Sequence, residues 1–210
     1  MTGRLLVISV DSVLLKTDVI GLLAEFAGKR DEVVALADAA SRGDLDVADS
    51  LRRQVATLEG LPVSAVDFAL RAAGLTPGAK NLVETLHGRG WTIGFVSEGF
   101  EEIVAPLAAR LGVTRYRANT LETVDGVLTG KTPDPIVDRA AKARALAEWA
   151  EESGIAMEDT VAVGCDSSDL DLLAQAGLGI AFNAEATVQA KADVAVTNTR
   201  VDVLLLTLED

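Results

Sequence analysis

Residues 5–14 read Leu-Leu-Val-Ile-Ser-Val-Asp-Ser-Val-Leu. Leu5 to Ile8 are apolar at consecutive positions, with no polar alternation. Such a run predicts a strand buried on both faces, as in parallel sheets. Polarity then arrives at once, with Ser9, Asp11 and Ser12. Ligands of open α/β sheets bind beyond the carboxyl ends of the strands, so these residues mark the first candidate site.

Downstream, the apolar period changes from strand-like to helical. Val19, Leu22, Leu23 and Phe26 recur at helix spacing, and Gly28 stands where a helix would stop. Residues 31–42, 47–58 and 62–73 read as three further helices. The block 17–74 carries no strand pattern, which predicts an inserted helical cap between core segments 1–16 and 75–210. From Thr76 onward strands and helices alternate. Helices are expected at 78–88, 100–111, 135–152, 167–176, 188–192 and 201–208. Strands are expected at 92–96, 116–119, 160–163, 178–182 and 194–196. Asp125-Gly126 between apolar residues predicts a small β-hairpin over 121–129. The pattern gives an α/β fold with a Rossmann-like, doubly wound parallel sheet and right-handed crossovers.

The chain has 210 residues, 49% of them apolar, and a formal net charge of −13. That charge disfavours nucleic acid and an anionic membrane surface as partners, since both select basic patches. Cys165 is the one cysteine, so no internal disulfide forms and a reducing cytoplasm is expected. No apolar run is long enough to span a bilayer.

Several stretches, in order, resemble the haloacid-dehalogenase-like phosphatases, and phosphoserine phosphatases in particular. Ser50-Leu51-Arg52-Arg53 and Gly60-Leu61-Pro62 are similar to the cap, and Leu75-Thr76-Pro77-Gly78-Ala79 to the return into the core. Val96-Ser97-Glu98-Gly99-Phe100 resembles the family's Val-Ser-Gly-Gly-Phe. Asp125 to Gly130 match its hairpin. Val161 to Asp169 and Ala176 to Phe182 match its late loop and following strand. The resemblance implies that position 9 is the nucleophile, Asp11 the general acid/base, and Ser97 and Lys142 the phosphate-binding pair. Asp18, Gln54, Glu98 and Ser168 fall at substrate-binding positions.

The resemblance also exposes departures. The family's Asp-x-Asp-x-Thr is Ser9-Val10-Asp11-Ser12-Val13 here, so the attacking carboxylate is a hydroxyl, which needs a base to react. Its metal site uses the nucleophile and a late aspartate, which is Cys165 here. Magnesium takes oxygen ligands and a thiol suits softer metals, so magnesium, the family's ion, is expected to be weak or absent. Asp169 and Asp166 are the carboxylates left for it. Gln54 replaces an arginine that grips the substrate carboxylate, and Glu98 replaces a glycine beside the phosphate. These changes favour a protein that has lost hydrolysis through an aspartyl phosphate and binds or regulates, with a small-molecule anion under the cap and no known protein partner. One alternative is a weak or altered hydrolase in which Asp11 activates water or Ser9. Another is a working magnesium-dependent phosphoserine phosphatase rescued by Asp166. Lys142 as a mere ion-pair partner of Asp11 or Asp169, and Cys165 as a small buried residue, are the plainer readings. Trp91 and Trp149 are expected to pack in the interior.

Overall fold

The computed structural model describes residues 3–208. β1 (Leu5–Ser9) is buried along its whole length. Its side chains alternate between two apolar clusters. Leu6 and Ile8 face one, and Leu5 and Val7 the other, as the two-residue period of a strand requires. A wide turn, Val10–Leu14, follows and is closed by the Leu15 N–H on the Val10 carbonyl at 3.0 Å; Ser12 has φ 58°. Four helices come next: α1 (Val19–Phe26), α2 (Arg30–Ser41), α3 (Val47–Ala56) and α4 (Ser64–Ala73). The chain leaves and re-enters at one place. Leu15 bridges Leu75, the Lys16 N–H donates to the Gly74 carbonyl, and the Thr76 N–H to the Leu14 carbonyl.

The remainder runs α5 (Ala79–Gly88), β2 (Thr92–Phe100), α6 (Glu101–Leu111), β3 (Arg115–Asn119), a hairpin of β4 (Thr123–Val124) and β5 (Val127–Leu128), α7 (Arg139–Ser153), β6 (Thr160–Gly164), α8 (Leu170–Gln175), β7 (Leu178–Phe182), α9 (Ala186–Gln189) and β8 (Val194–Val196). A short turn of helix over Val201–Leu206 follows. Six strands form one parallel sheet in the order β3-β2-β1-β6-β7-β8. The order reverses at β1, flanked by β2 and β6, and this is the switch point where such sheets bind ligands.

Several elements depart from the sequence reading; α9, expected over 188–192, spans Ala186–Gln189, and α8, expected from 167, begins at Leu170. β2 extends to Phe100 rather than Val96, with a register shift against β3 between Val96 and Phe100. α7 starts at Arg139, not Pro135, because the Val137 amide is taken by the Asn119 side chain and Asp138 caps the Ala141 N–H. The expected helix over 201–208 is a tighter, shorter turn. Trp91 and Trp149 are both buried, Trp149 directly over Gly94 of β2. Among the described residues no helix is long and apolar enough to cross a membrane.

Candidate functional site

The carboxyl ends of β1, β2 and β6 meet. Ser9, buried, ends β1 beside Val96 of β2. The turn after β1 swings Asp11 across to Ser97, whose hydroxyl donates to Asp11 Oδ2 at 2.5 Å. The Gly99 N–H donates to Ser97 Oγ at 2.8 Å. A Cβ at Gly99 would stand 2.9 Å from that oxygen and 3.2 Å from the Asp11 carboxylate, so only glycine lets the backbone come this close. Cys165, just after β6, donates its thiol to the Asp11 main-chain carbonyl at 3.5 Å.

A second network fills the floor. Lys142 on α7 is almost completely enclosed. Its Nζ donates to Asp169 Oδ1 at 2.8 Å and to Ser168 Oγ at 2.5 Å, and lies 3.6 Å from Glu98 Oε1. Burial alone would lower its pKa, but Asp169, Glu98 and Asp166 outweigh that and hold it above the ordinary lysine range. Asp169 is fully buried, and its other oxygen accepts the Cys165 N–H at 2.9 Å. Gly164 makes room, since a Cβ there would collide with the Asp169 side chain.

The carboxyls respond to this setting. Burial raises the Asp11 pKa and Asp18 adds to it; the Ser97 hydrogen bond and Lys142 oppose. Burial lifts Glu98 to about 7, against the pull of Lys142 and with the push of Asp166, Asp169 and Asp11. Burial, then Asp169 and Asp166, push the Cys165 thiol well above its ordinary value. It is therefore no ready nucleophile.

Two of the sequence-derived candidates stand apart. Gln54 is buried within the helical block, with its amide donating to Ser50 Oγ at 2.9 Å. Asp18 caps α1, accepting the Gly21 N–H at 2.6 Å, and reaches the cleft only through its charge on Asp11. One residue escaped the sequence reading. Buried Asn119 donates to the Glu98 carbonyl at 2.7 Å and accepts the Val137 N–H at 2.7 Å. Nothing local in the sequence signals it, because its partners lie across the sheet end.

Cys165, Asp166 and Asp169 each offer a donor atom, all within 4.8 Å of one another. The Asp169 oxygens are already committed to Lys142 and the Cys165 amide. Asp166, exposed, accepts the Ser168 N–H on Oδ1 at 2.8 Å, and its Oδ2, 3.9 Å from Cys165 Sγ, is the most accessible hard oxygen donor; the Asp11 carbonyl, which accepts the Cys165 thiol, is the next. Magnesium is commonly held by one or two carboxylates and water, so the donor set fits it through Asp166.

Comparison with known proteins agrees with this geometry. The family model described as haloacid dehalogenase-like hydrolase matches residues 8–174. Phosphoserine phosphatase SerB2 of Mycobacterium tuberculosis is 46% identical over 99% of this chain, and the chain spans about half (51%) of that relative. The phosphoserine phosphatase of Streptococcus thermophilus is 42% identical over 92% of this chain and 90% of its own length. A solved structure of a phospho-aspartyl intermediate analogue of phosphoserine phosphatase superposes with a TM-score of 0.93 at 32% identity, covering both chains entirely. Curated relatives at 35–46% identity carry the name phosphoserine phosphatase. This overturns the expectation of a protein that has lost hydrolysis. In the structure the Asp11–Ser97 pair and the Lys142–Asp169 network are both in place. In sequence and fold, the chain belongs to the haloacid dehalogenase-like hydrolases.

Proposed function

We propose that this protein hydrolyses a phosphate monoester, phosphoserine, with the help of magnesium. The observation that carries the reading is Asp11, a buried carboxyl of raised pKa bonded to Ser97 at 2.5 Å beside Lys142. The phosphate sits against Ser97, Ser168 and Lys142, between the sheet ends of 1–16 and 75–210 and a cap formed by 17–74. Asp166 and the Asp11 carbonyl hold the metal. Asp166 would bind through its Oδ2, since its Oδ1 accepts the Ser168 N–H. Bound there, magnesium supplies positive charge against the phosphate oxygens.

Phosphoryl transfer passes through a loose transition state, so a strong nucleophile is the lesser requirement. The greater one is a proton for the serine oxygen that leaves. A carboxyl whose pKa is raised by burial is a better proton donor than an ordinary carboxyl. In this reading water attacks phosphorus and forms the new P–O bond, the ester P–O bond breaks, Asp11 protonates the leaving serine oxygen, and the proton lost by the attacking water returns Asp11 to its acid form, leaving inorganic phosphate and serine. Ser9 lines the floor. Asp18, engaged as the cap of α1, acts on the cleft through its charge, while Gln54, committed to Ser50, does not grip the substrate carboxylate.

The test is phosphate release from phosphoserine with magnesium. We expect turnover on the order of 1 per second or more. Asp11→Asn should lower it by at least about 100-fold, the scale of a lost proton donor. Ser9→Ala should stay within about tenfold of the parent, because the hydroxyl does not attack. No release from phosphoserine in the presence of magnesium would overturn the reading.

A further inference from the structure

The cleft floor holds a charge for which ester hydrolysis has no use. An ammonium has three donors. Asp169 and Ser168 take two of those on Lys142, and the carboxylate next in reach is Glu98, at 3.6 Å. That distance is too long for a hydrogen bond, and Glu98 Oε1 is enclosed without any partner. The remaining lysine donor is the one a phosphate oxygen needs. Asn119 pins the Glu98 carbonyl at 2.7 Å, so the carboxylate can leave only by rotation of its side chain. With 31% of that side chain exposed, there is open space to receive it.

We propose that Glu98 is an internal competitor for the anion seat of Ser97 and Lys142: a phosphate ester binds by displacing it, and its removal tightens anion binding. This rests on the seat assigned in the proposed function. It adds a built-in brake on the affinity for dianions.

The experiment is calorimetric titration of the full chain with sulfate in metal-free buffer, for the parent, Glu98→Gln and Glu98→Ala. Sulfate stays a dianion across the range used. At about pH 8 both variants should bind it about tenfold or more tightly than the parent, the effect of removing one close like charge. At about pH 5.5 the parent should come within roughly twofold of the variants, because its Glu98 is then protonated. The other groups facing Glu98 are Lys142 from α7, Asp166 and Asp169 from the loop after β6, and Asp11 from the turn after β1. They are common to all three proteins, so the difference reports Glu98. Equal affinities at about pH 8, or no sulfate binding by either variant, would overturn the inference. A chain that hydrolyses phosphoserine without showing this gain fails the inference alone. A chain that shows the gain but releases no phosphate fails the proposed function alone.

Discussion

An ionised Glu98 gives up water at one oxygen and receives no hydrogen bond in return, which is why its carboxyl rises from 4.5 to about 7. The consequence for stability has a definite sign. Below about pH 4.5 the group is protonated in folded and unfolded chains alike, and it contributes no penalty. Between about 4.5 and 7 the folded chain holds the proton more tightly, so stability falls as pH rises; above 7 the penalty is constant. Glu98→Gln should therefore exceed the parent in stability at about pH 8 by on the order of 1 kcal/mol, discounted for partial solvent exposure, and the gap should close near pH 4.5. Urea denaturation at the two pH values measures it, and a gap of equal size at both would contradict the assignment. Ser9, Asp11, Ser97 and Cys165 were legible in the sequence because each sits in a short motif at a strand end, and Lys142, inside α7, was legible only through the family resemblance. The Asn119–Glu98 bond was not. It joins residues 21 apart across a sheet end, and only the register of β2 on β3 brings them together.

Glycine decides how closely two elements approach at the end of β6. The Cα of Gly164 faces the Asp169 side chain with no space for a methyl group, and Asp169 in turn anchors Lys142 and the Cys165 amide. Gly164→Ala should cost about 2–3 kcal/mol, the scale of overpacking a buried site. It should also weaken sulfate binding, because Lys142 is displaced with its partner. Denaturation midpoint and sulfate affinity are the measurements, and a variant of parental stability would show that the loop adjusts freely. Strand positions were readable from runs of consecutive apolar residues. The start of α7 was not, because helical spacing cannot reveal that the Val137 amide is engaged by Asn119 from another element. The Ser97–Gly99 stretch of β2 was read as a strand end for a similar reason: its polar residues break the apolar run while its backbone stays extended.

At the scale of the molecule, the alternation of strands and helices predicted the parallel sheet, and the apolar run at Leu5–Ile8 predicted a strand buried on both faces, which the structure places inside the sheet between β2 and β6. What the sequence could not convey is how the hairpin connects. The Gly60 N–H donates to the Leu128 carbonyl, the Leu128 N–H to the Leu61 carbonyl, and the Val63 N–H to the Gly126 carbonyl, while Pro62 bridges Val127. The link between α3 and α4 thus runs antiparallel alongside β5 through these bonds and one bridge. These amides should exchange with solvent as one cooperative unit, at rates distinct from those of β1, because contiguous hydrogen-bonded segments open together. Hydrogen exchange followed residue by residue tests this, and independent rates at Gly60, Val63 and Leu128 would refute it.

That stitching redraws the mechanical boundary of the molecule. By chain continuity β4 and β5 belong with the sheet, yet by hydrogen bonds they belong with the helices. A swing of α1–α4 away from the sheet ends would carry the hairpin along as a passenger. It would then pivot about two places instead of one: the crossing of Leu14–Lys16 with Gly74–Thr76, and the two strands of chain that join the hairpin to β3 and α7. A body hung on two pivots has one axis of rotation. Any such opening would have to bend the chain at both places at once, more like a door on two hinges than a flap on one tether.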